Sequence, residues 1–261
     1  FGKTVSEYSE TSDLVSLDAV LNESIELIEE QGKSGLIPGI TSGFPQLDKA
    51  LSGFQEEELI ILGADTGMGK TTVALQMAVA AALSGVTTLF FSFEMSMHQL
   101  AMKVLASRSR VYMSKMRDGS TNNYDIELLR AAQADLNTAN LFIANVKREH
   151  STPDGVRAAI TQHHQKTGNK VKLAVIDYLQ LMRGGRPRAS RQDEVSDIAK
   201  DLKAIAQEEK LAMLALAQVS RENSKRQDKR PKPQDLRESG AIEQCANTIL
   251  FIYRDEYHNK E

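Results

Sequence analysis

The sequence predicts an α/β protein: a mostly parallel sheet flanked by helices, preceded by one amphipathic helix. Three observations predict it. After residue 51, short apolar runs alternate with amphipathic stretches of helical spacing. The runs are nearly continuous rather than alternating in polarity, as strands covered on both faces are. A glycine-rich turn ending in Lys70 separates the first run from the first long helical stretch, a junction suited to holding phosphate.

In order, Leu14, Leu17, Leu21, Ile25 and Ile28 recur at intervals of three and four, one face of a helix. Ser12 or Asp13 is placed to cap its start and Gly32 to end it. A single helix cannot bury such a stripe alone, so it packs either on its own domain or, as a linker helix, on a neighbouring subunit. Turn-forming residues come next, dividing a linker region (1–36) from a larger domain (37–261). The strands expected in that domain are 59–63, 86–93, 141–145, 171–177, 211–217 and 248–253. The helices expected between them are 70–84, 97–110, 124–136, 153–166, 192–209 and about 236–244. Right-handed crossovers between parallel strands then give a doubly wound domain. No internal repeat runs through the chain.

The 261 residues are 41% hydrophobic and 26% charged, which excludes a wholly disordered or fibrous chain. The longest apolar runs, such as 77–83 and 211–217, are too short to span a bilayer, so no membrane partner is expected. The one cysteine, Cys245, forms no intramolecular disulfide, and the expected location is the reducing cytoplasm. The chain begins at Phe1 without a signal peptide and reads as part of something longer. His98, His150, His163, His164 and His258 lack metal-ligand spacing, and the nine methionines read as core filler. The net charge of −3 argues against a globally basic nucleic-acid binder, but the charge is uneven. Residues 1–34 are strongly acidic; 183–191 carry four Arg and no acid, and 219–233 carry six basic residues against two acids.

Ligands of open parallel sheets bind beyond the carboxyl ends of the strands. The loop after the first strand reads Ala64, Asp65, Thr66, Gly67, Met68, Gly69, Lys70, Thr71, Thr72, a P-loop pattern with alanine at the first glycine position. Gly67 and Gly69 let backbone N–H groups turn inward, Lys70 reaches the β- and γ-phosphates, and the Thr71 hydroxyl ligates Mg²⁺. Asp177 ends the fourth strand after four apolar residues, where a carboxylate holds Mg²⁺ through water; otherwise it is a cap or turn aspartate. Glu94 stands after the second strand and suits a general base that orients the attacking water, or else an N-cap. Gln218 stands after the fifth and suits a γ-phosphate contact, or is a polar strand terminus. Arg254 stands after the sixth. The two basic segments leave the same edge, after the fourth and fifth strands. With no Trp and few aromatics nearby, they suit sequence-independent contact with a phosphate backbone rather than base stacking, or are solvated charge runs.

Taken together, residues 37–258 resemble the C-terminal, RecA-like motor domain of DnaB-type replicative helicases. The resemblance is carried by the segments TSGF (41–44) and LSGF (51–54), the P-loop, SFEMS (92–96), VIDYLQ (175–180), QVSR (218–221) and DLRESGAIEQ (235–244). It implies a RecA-like P-loop NTPase core in a homo-hexameric ring that moves along single-stranded DNA using ATP or another NTP with Mg²⁺. It implies Lys70, Glu94, Asp177 and Gln218 as catalytic residues, and residues 65–72 with Arg254, the latter near the base, as the nucleotide site. Arg237, Glu238 and Gly240, with Arg221, Lys225 and Arg226, fall to the DNA path, and the acidic helix to docking on the adjacent protomer. Primase and a helicase loader are expected to meet other regions of the protein. The chain stops at Glu261, before the family's Lys-x-Arg pair, whose arginine reaches the neighbour's nucleotide; such fingers are worth roughly 10³-fold or more in rate. A RecA-type recombinase ATPase and a non-catalytic nucleotide-binding ring scaffold remain as alternatives.

Overall fold

Where strands form is decided by where each finds a paired neighbour, as a computed structural model of the chain makes plain. It describes residues 16–34, 37–144, 151–185, 190–220, 226, 228–236 and 240–258. The chain divides into two compact units, Phe1–Pro38 and Gly39–Glu261.

In the first unit, helix α1 spans Leu17–Ser34. The Ser16 hydroxyl accepts the Ala19 N–H at 3.3 Å and caps it. Ser12, Asp13 and Leu14 lie outside the described residues. The helix continues past Gly32, since one interior glycine costs only about 1 kcal/mol. Its apolar stripe is exposed: Leu17 by 73%, Leu21 by 51%, Ile25 by 54% and Ile28 by 66%.

The second unit opens with an antiparallel bridge between Ile40 and Phe54. Between them, helix α2 (Pro45–Leu51) is held by Asp48, whose carboxylate accepts the Ser42 N–H at 2.8 Å and the Thr41 hydroxyl at 2.6 Å. This seven-residue helix is too short for periodicity to reveal.

The remaining elements run β1 (Leu59–Ala64), α3 (Lys70–Leu83), β2 (Thr88–Ser92), α4 (Met97–Ser109), α5 (Met113–Asp118), α6 (Asn123–Leu136) and β3 (Leu141–Ala144). They continue with α7 (Pro153–Thr167), β4 (Leu173–Asp177), α8 (Arg191–Glu208), β5 (Ala212–Gln218), α9 (Gly240–Cys245), β6 (Thr248–Phe251) and α10 (Asp255–His258). The strands form one sheet in the order β3-β2-β4-β5-β1-β6, and every pairing is parallel.

Both faces of the sheet are covered. Leu59, Ile61, Phe91, Ile176, Met213 and Ala215 pack with Val156 and Ile160 of α7, Val195, Ile198 and Leu202 of α8, and Ile242 of α9. The alternate residues Ile60, Leu62, Phe90, Val175, Leu214 and Leu216 pack with Ala74, Leu75 and Ala78 of α3 and Leu100 of α4. This alternation is the strand period of two, and it explains why the strands read as apolar throughout.

Several boundaries differ from those the sequence predicts. Strands β2 and β4 are shorter at their starts because β2 pairs only from Thr88, opposite Leu141 and Leu173. The helix expected from residue 236 begins at Gly240 instead. Leu236 is buried and bridged to Val219, and Ser220 N–H donates to the Asp235 carbonyl at 2.7 Å, so this residue closes a loop instead of opening a helix.

Phe90 is fully buried between β2 and the α3 layer. Phe90→Ala is expected to lower the unfolding free energy by about 3–5 kcal/mol, as read by chemical denaturation.

Candidate functional site

The sheet order brings the carboxyl ends of β2, β4, β5 and β1 side by side, and the loops that leave these four strands meet there. After β1 the chain must turn sharply into α3. Gly67 (φ 82°) and Gly69 (φ 90°) make that turn in left-handed backbone that a side chain disfavours. Met68, almost wholly buried, anchors the loop from below. Gly69 stands at the N-cap of α3 without a side-chain cap, so the helix start keeps its N–H groups for an anion. A Cβ on Gly69 would meet nothing within 4 Å: the space above the loop is open.

That space is a cleft of about 390 Å³. Of the residues expected to bind nucleotide, Asp65, Thr66, Gly67, Gly69, Lys70, Thr71 and Thr72 line it, together with Glu94 and Gln218. A separate, mainly apolar groove of about 270 Å³ lies between α3, α4 and residues 42–44 and holds none of the acidic groups.

The Lys70 ammonium lies 4.6 Å from the centre of the Tyr178 ring. Burial pulls its pKa below the usual lysine value, while the charges of Asp177 and Glu94 pull it back up. Asp177 is fully buried, and burial raises its carboxyl to about 6, with the Glu94 charge adding to the rise. The Thr71 hydroxyl, Lys70 and Lys103 oppose that rise, yet neither Asp177 oxygen has a hydrogen-bond partner of normal geometry. Asp177 is therefore neither a cap nor a turn residue. An orphaned buried carboxylate beside a threonine hydroxyl fits a hard divalent cation. Among the described residues no group of three acids, histidines or cysteines converges to hold a metal alone. Thr71 and Asp177 thus suit Mg²⁺ that takes its remaining ligands from water and phosphate.

Glu94 is exposed in the cleft wall, and it is not the cap of α4: Ser96 forms a reciprocal capping box with Gln99. Gln218 donates from Nε2 to the Thr66 hydroxyl at 2.7 Å, so this side chain touches the phosphate loop itself. Arg254 does not line the cleft; it forms an ion pair with Glu256 at 2.9 Å.

The family profile described as DnaB-like helicase C terminal domain matches residues 39–261. The chain belongs to that family. It is 39% identical over 241 residues to the replicative DNA helicase DnaB of Geobacillus stearothermophilus, covering 92% of this chain and 52% of the relative. It is 37% identical over 265 residues to the replicative DNA helicase DnaC of Bacillus subtilis (strain 168), covering 99% and 58%. It thus spans a little over half the length of these curated relatives. A solved ATPase domain superposes with a TM-score of 0.88 at 31% identity, covering 95% of this chain and 87% of that one. A DnaB-like replicative helicase whose structure was solved with its interactions with primase gives 0.84 at 31%, covering 96% and 59%.

In this DnaB-like domain the two basic segments leave the sheet beside the cleft, after β4 and β5. Arg221, Lys225, Arg237 and Glu238 lie outside the described residues, and Gly240 opens α9. Arg226 pairs with Asp235 and donates to the Arg230 carbonyl at 3.2 Å, which ties the loop to its own returning end. Sequence reasoning missed three groups at the cleft. Lys103 of α4 lines it, donates to the Thr72 hydroxyl at 3.3 Å and acts on the Asp177 charge. Tyr178 receives Lys70, and the Tyr257 hydroxyl stands 3.3 Å from where a Gly67 Cβ would be. Only Tyr178, adjacent to Asp177, lay in a segment already singled out.

Since the folded-state value of Asp177 lies above its ordinary 3.8, the folded protein holds this proton more tightly than the unfolded chain does. Its contribution to stability is full at low pH and is lost as pH rises through about 6. Without nucleotide, Asp177→Asn is expected to gain about 1–3 kcal/mol over the parent near pH 8 and little near pH 4, measured by urea denaturation.

Proposed function

We propose that this chain is the motor domain of a replicative DNA helicase, a homo-hexameric ring that hydrolyses ATP or another NTP with Mg²⁺ to travel on single-stranded DNA and unwind duplex. The observation that carries the reading is the buried Asp177 carboxylate, without a hydrogen bond of normal geometry, under the cleft that Lys70, Thr71 and Glu94 share. The names of its relatives support the same activity.

The N–H groups of the phosphate loop and Lys70 hold the β- and γ-phosphates. Thr71 and Asp177 hold Mg²⁺, which when bound offsets the charge of the departing phosphate. Glu94 orients the attacking water and takes its proton as the γ-phosphorus is attacked and the diphosphate leaves. Lys103 adds positive charge to the cleft lining, and Gln218 trades the Thr66 hydroxyl for a γ-phosphate oxygen. The basic loops after β4 and β5 grip the DNA backbone, with Arg237, Glu238, Gly240, Arg221 and Lys225 on its path and Arg226 shaping the second loop. Arg254, outside the cleft and paired with Glu256 in the free protein, is assigned to the base side by its place after β6.

The exposed apolar stripe of α1 supports its docking on an adjacent copy. Residues 1–36 act as the linker and 37–261 as the motor. Primase and a loader meet the protein beyond this chain, the former supported by the relative solved with its primase interactions. No helix among the described residues is long and apolar enough to cross a membrane. The protein works in the cytoplasm, at the bacterial nucleoid or in a phage-infected host.

Lys70→Ala is expected to reduce NTP turnover and unwinding by about 10²-fold or more while leaving the melting temperature close to the parent's. Normal unwinding by this variant would overturn the reading. Arg237→Ala should weaken single-strand binding and lower its salt slope by about one, read by titration at several salt concentrations.

A further inference from the structure

The Lys70 ammonium and the Asp177 carboxylate act on each other's charge, yet they are not bonded: neither Asp177 oxygen has a hydrogen-bond partner of normal geometry. A buried ammonium and a buried carboxylate ordinarily close into a salt bridge, since each then repays part of the other's lost hydration. The ammonium lies instead over the face of the Tyr178 ring, 4.6 Å from its centre. An aromatic face attracts a cation without supplying a counter-charge. The ring is held in place. Tyr178 packs against the hydrophobic layer that includes Ala74 and Leu75 of α3. Its carbonyl accepts the Leu181 N–H at 2.9 Å, closing the tight turn Leu179–Leu181, in which Leu179 is fully buried. Tyr178 follows Asp177 directly, so β4 delivers carboxylate and ring together, and the ring lines the cleft with Lys70 and Thr71. Glu94 also draws on Lys70, but it is exposed in the cleft wall, where water screens its pull.

We propose that Tyr178 is a positioning residue whose ring holds the Lys70 ammonium off Asp177, which keeps the lysine available to phosphate and the carboxylate open to a metal ion. The inference deepens the helicase reading above and rests on its nucleotide site. Without the ring, Lys70 falls back onto Asp177. One salt bridge then closes both halves of the site, and nucleotide binds only to the fraction of molecules in which that bridge is open. With the ring, the ammonium has a weaker partner to leave, and an incoming phosphate draws it away at little cost. The carboxylate is meanwhile left without the lysine as a bonded partner, as the structure shows it.

The test uses the full-length protein and a fluorescent, non-hydrolysable NTP analogue in EDTA, so that no metal enters the site. Its readout is the dissociation constant of the analogue. Tyr178→Leu removes the ring face; Tyr178→Phe keeps it. Tyr178→Leu should weaken binding about ten-fold, the factor reached when roughly nine molecules in ten hold Lys70 on Asp177. Tyr178→Phe should stay within about two-fold of the parent. In an Asp177→Asn background, where no charge awaits the lysine, Tyr178→Leu should cost less than about two-fold. A nucleotide-free crystal structure of Tyr178→Leu should place Lys70 Nζ about 2.8 Å from an Asp177 oxygen. The proposal is overturned if Tyr178→Leu binds as the parent does, or if it loses the same factor in the Asp177→Asn background, as a packing defect does. It is also overturned if Tyr178→Phe behaves like Tyr178→Leu, or if that crystal structure leaves Lys70 and Asp177 apart. A parent that binds no nucleotide overturns the helicase reading and this one with it; a parent that binds while Tyr178→Leu matches it overturns this one alone.

Discussion

An ionisable pair, Lys70 at the start of α3 and Asp177 at the end of β4, is held out of water beneath one cleft. Burial works against both charges, pushing the lysine down and the aspartate up, and each charge partly rescues the other. Two hydrophobic layers, on opposite faces of the sheet, maintain this arrangement. Most buried carboxylates accept hydrogen bonds, and this one accepts none of normal geometry. The cost is of the kind that a bound divalent cation relieves.

The parallel sheet turns that local chemistry into a device. Because β2, β4, β5 and β1 are neighbours, Glu94, Asp177, Gln218 and the glycine-rich loop share one edge. The same edge launches both basic segments. Two of the described arginines in those segments do not reach outward: Arg191 and Arg226 tie down the ends of their loops. Part of the basic charge counted along the sequence is therefore spent on contacts within the protein.

Strand and helix placement was legible because a two-sided parallel sheet writes itself as apolar runs, and its crossovers as 3.6-residue stripes. The short α2, α5 and α10 were not, since six or so residues carry too little periodicity. Glu94 and Asp177 each had a plain alternative as a cap or turn residue. That choice turned on partners: Ser96 caps α4, and Asp177 accepts no hydrogen bond of normal geometry. Lys103 lay unmarked on α4, because a lysine on an amphipathic helix looks like any solvated one until the neighbouring strand is in place.

By itself the sequence determined the class of the sheet, the phosphate loop with its glycines and lysine, and the kinship with DnaB-like motors, all of which rest on local spacing and contiguous motifs. The tertiary structure alone decided which carboxylate is orphaned, which arginines hold the loops, and that Gln218 reaches Thr66 on one side and Gln180 on the other. Those are contacts between residues 38 and 152 positions apart, and only the packing of the strands brings them within hydrogen-bonding distance.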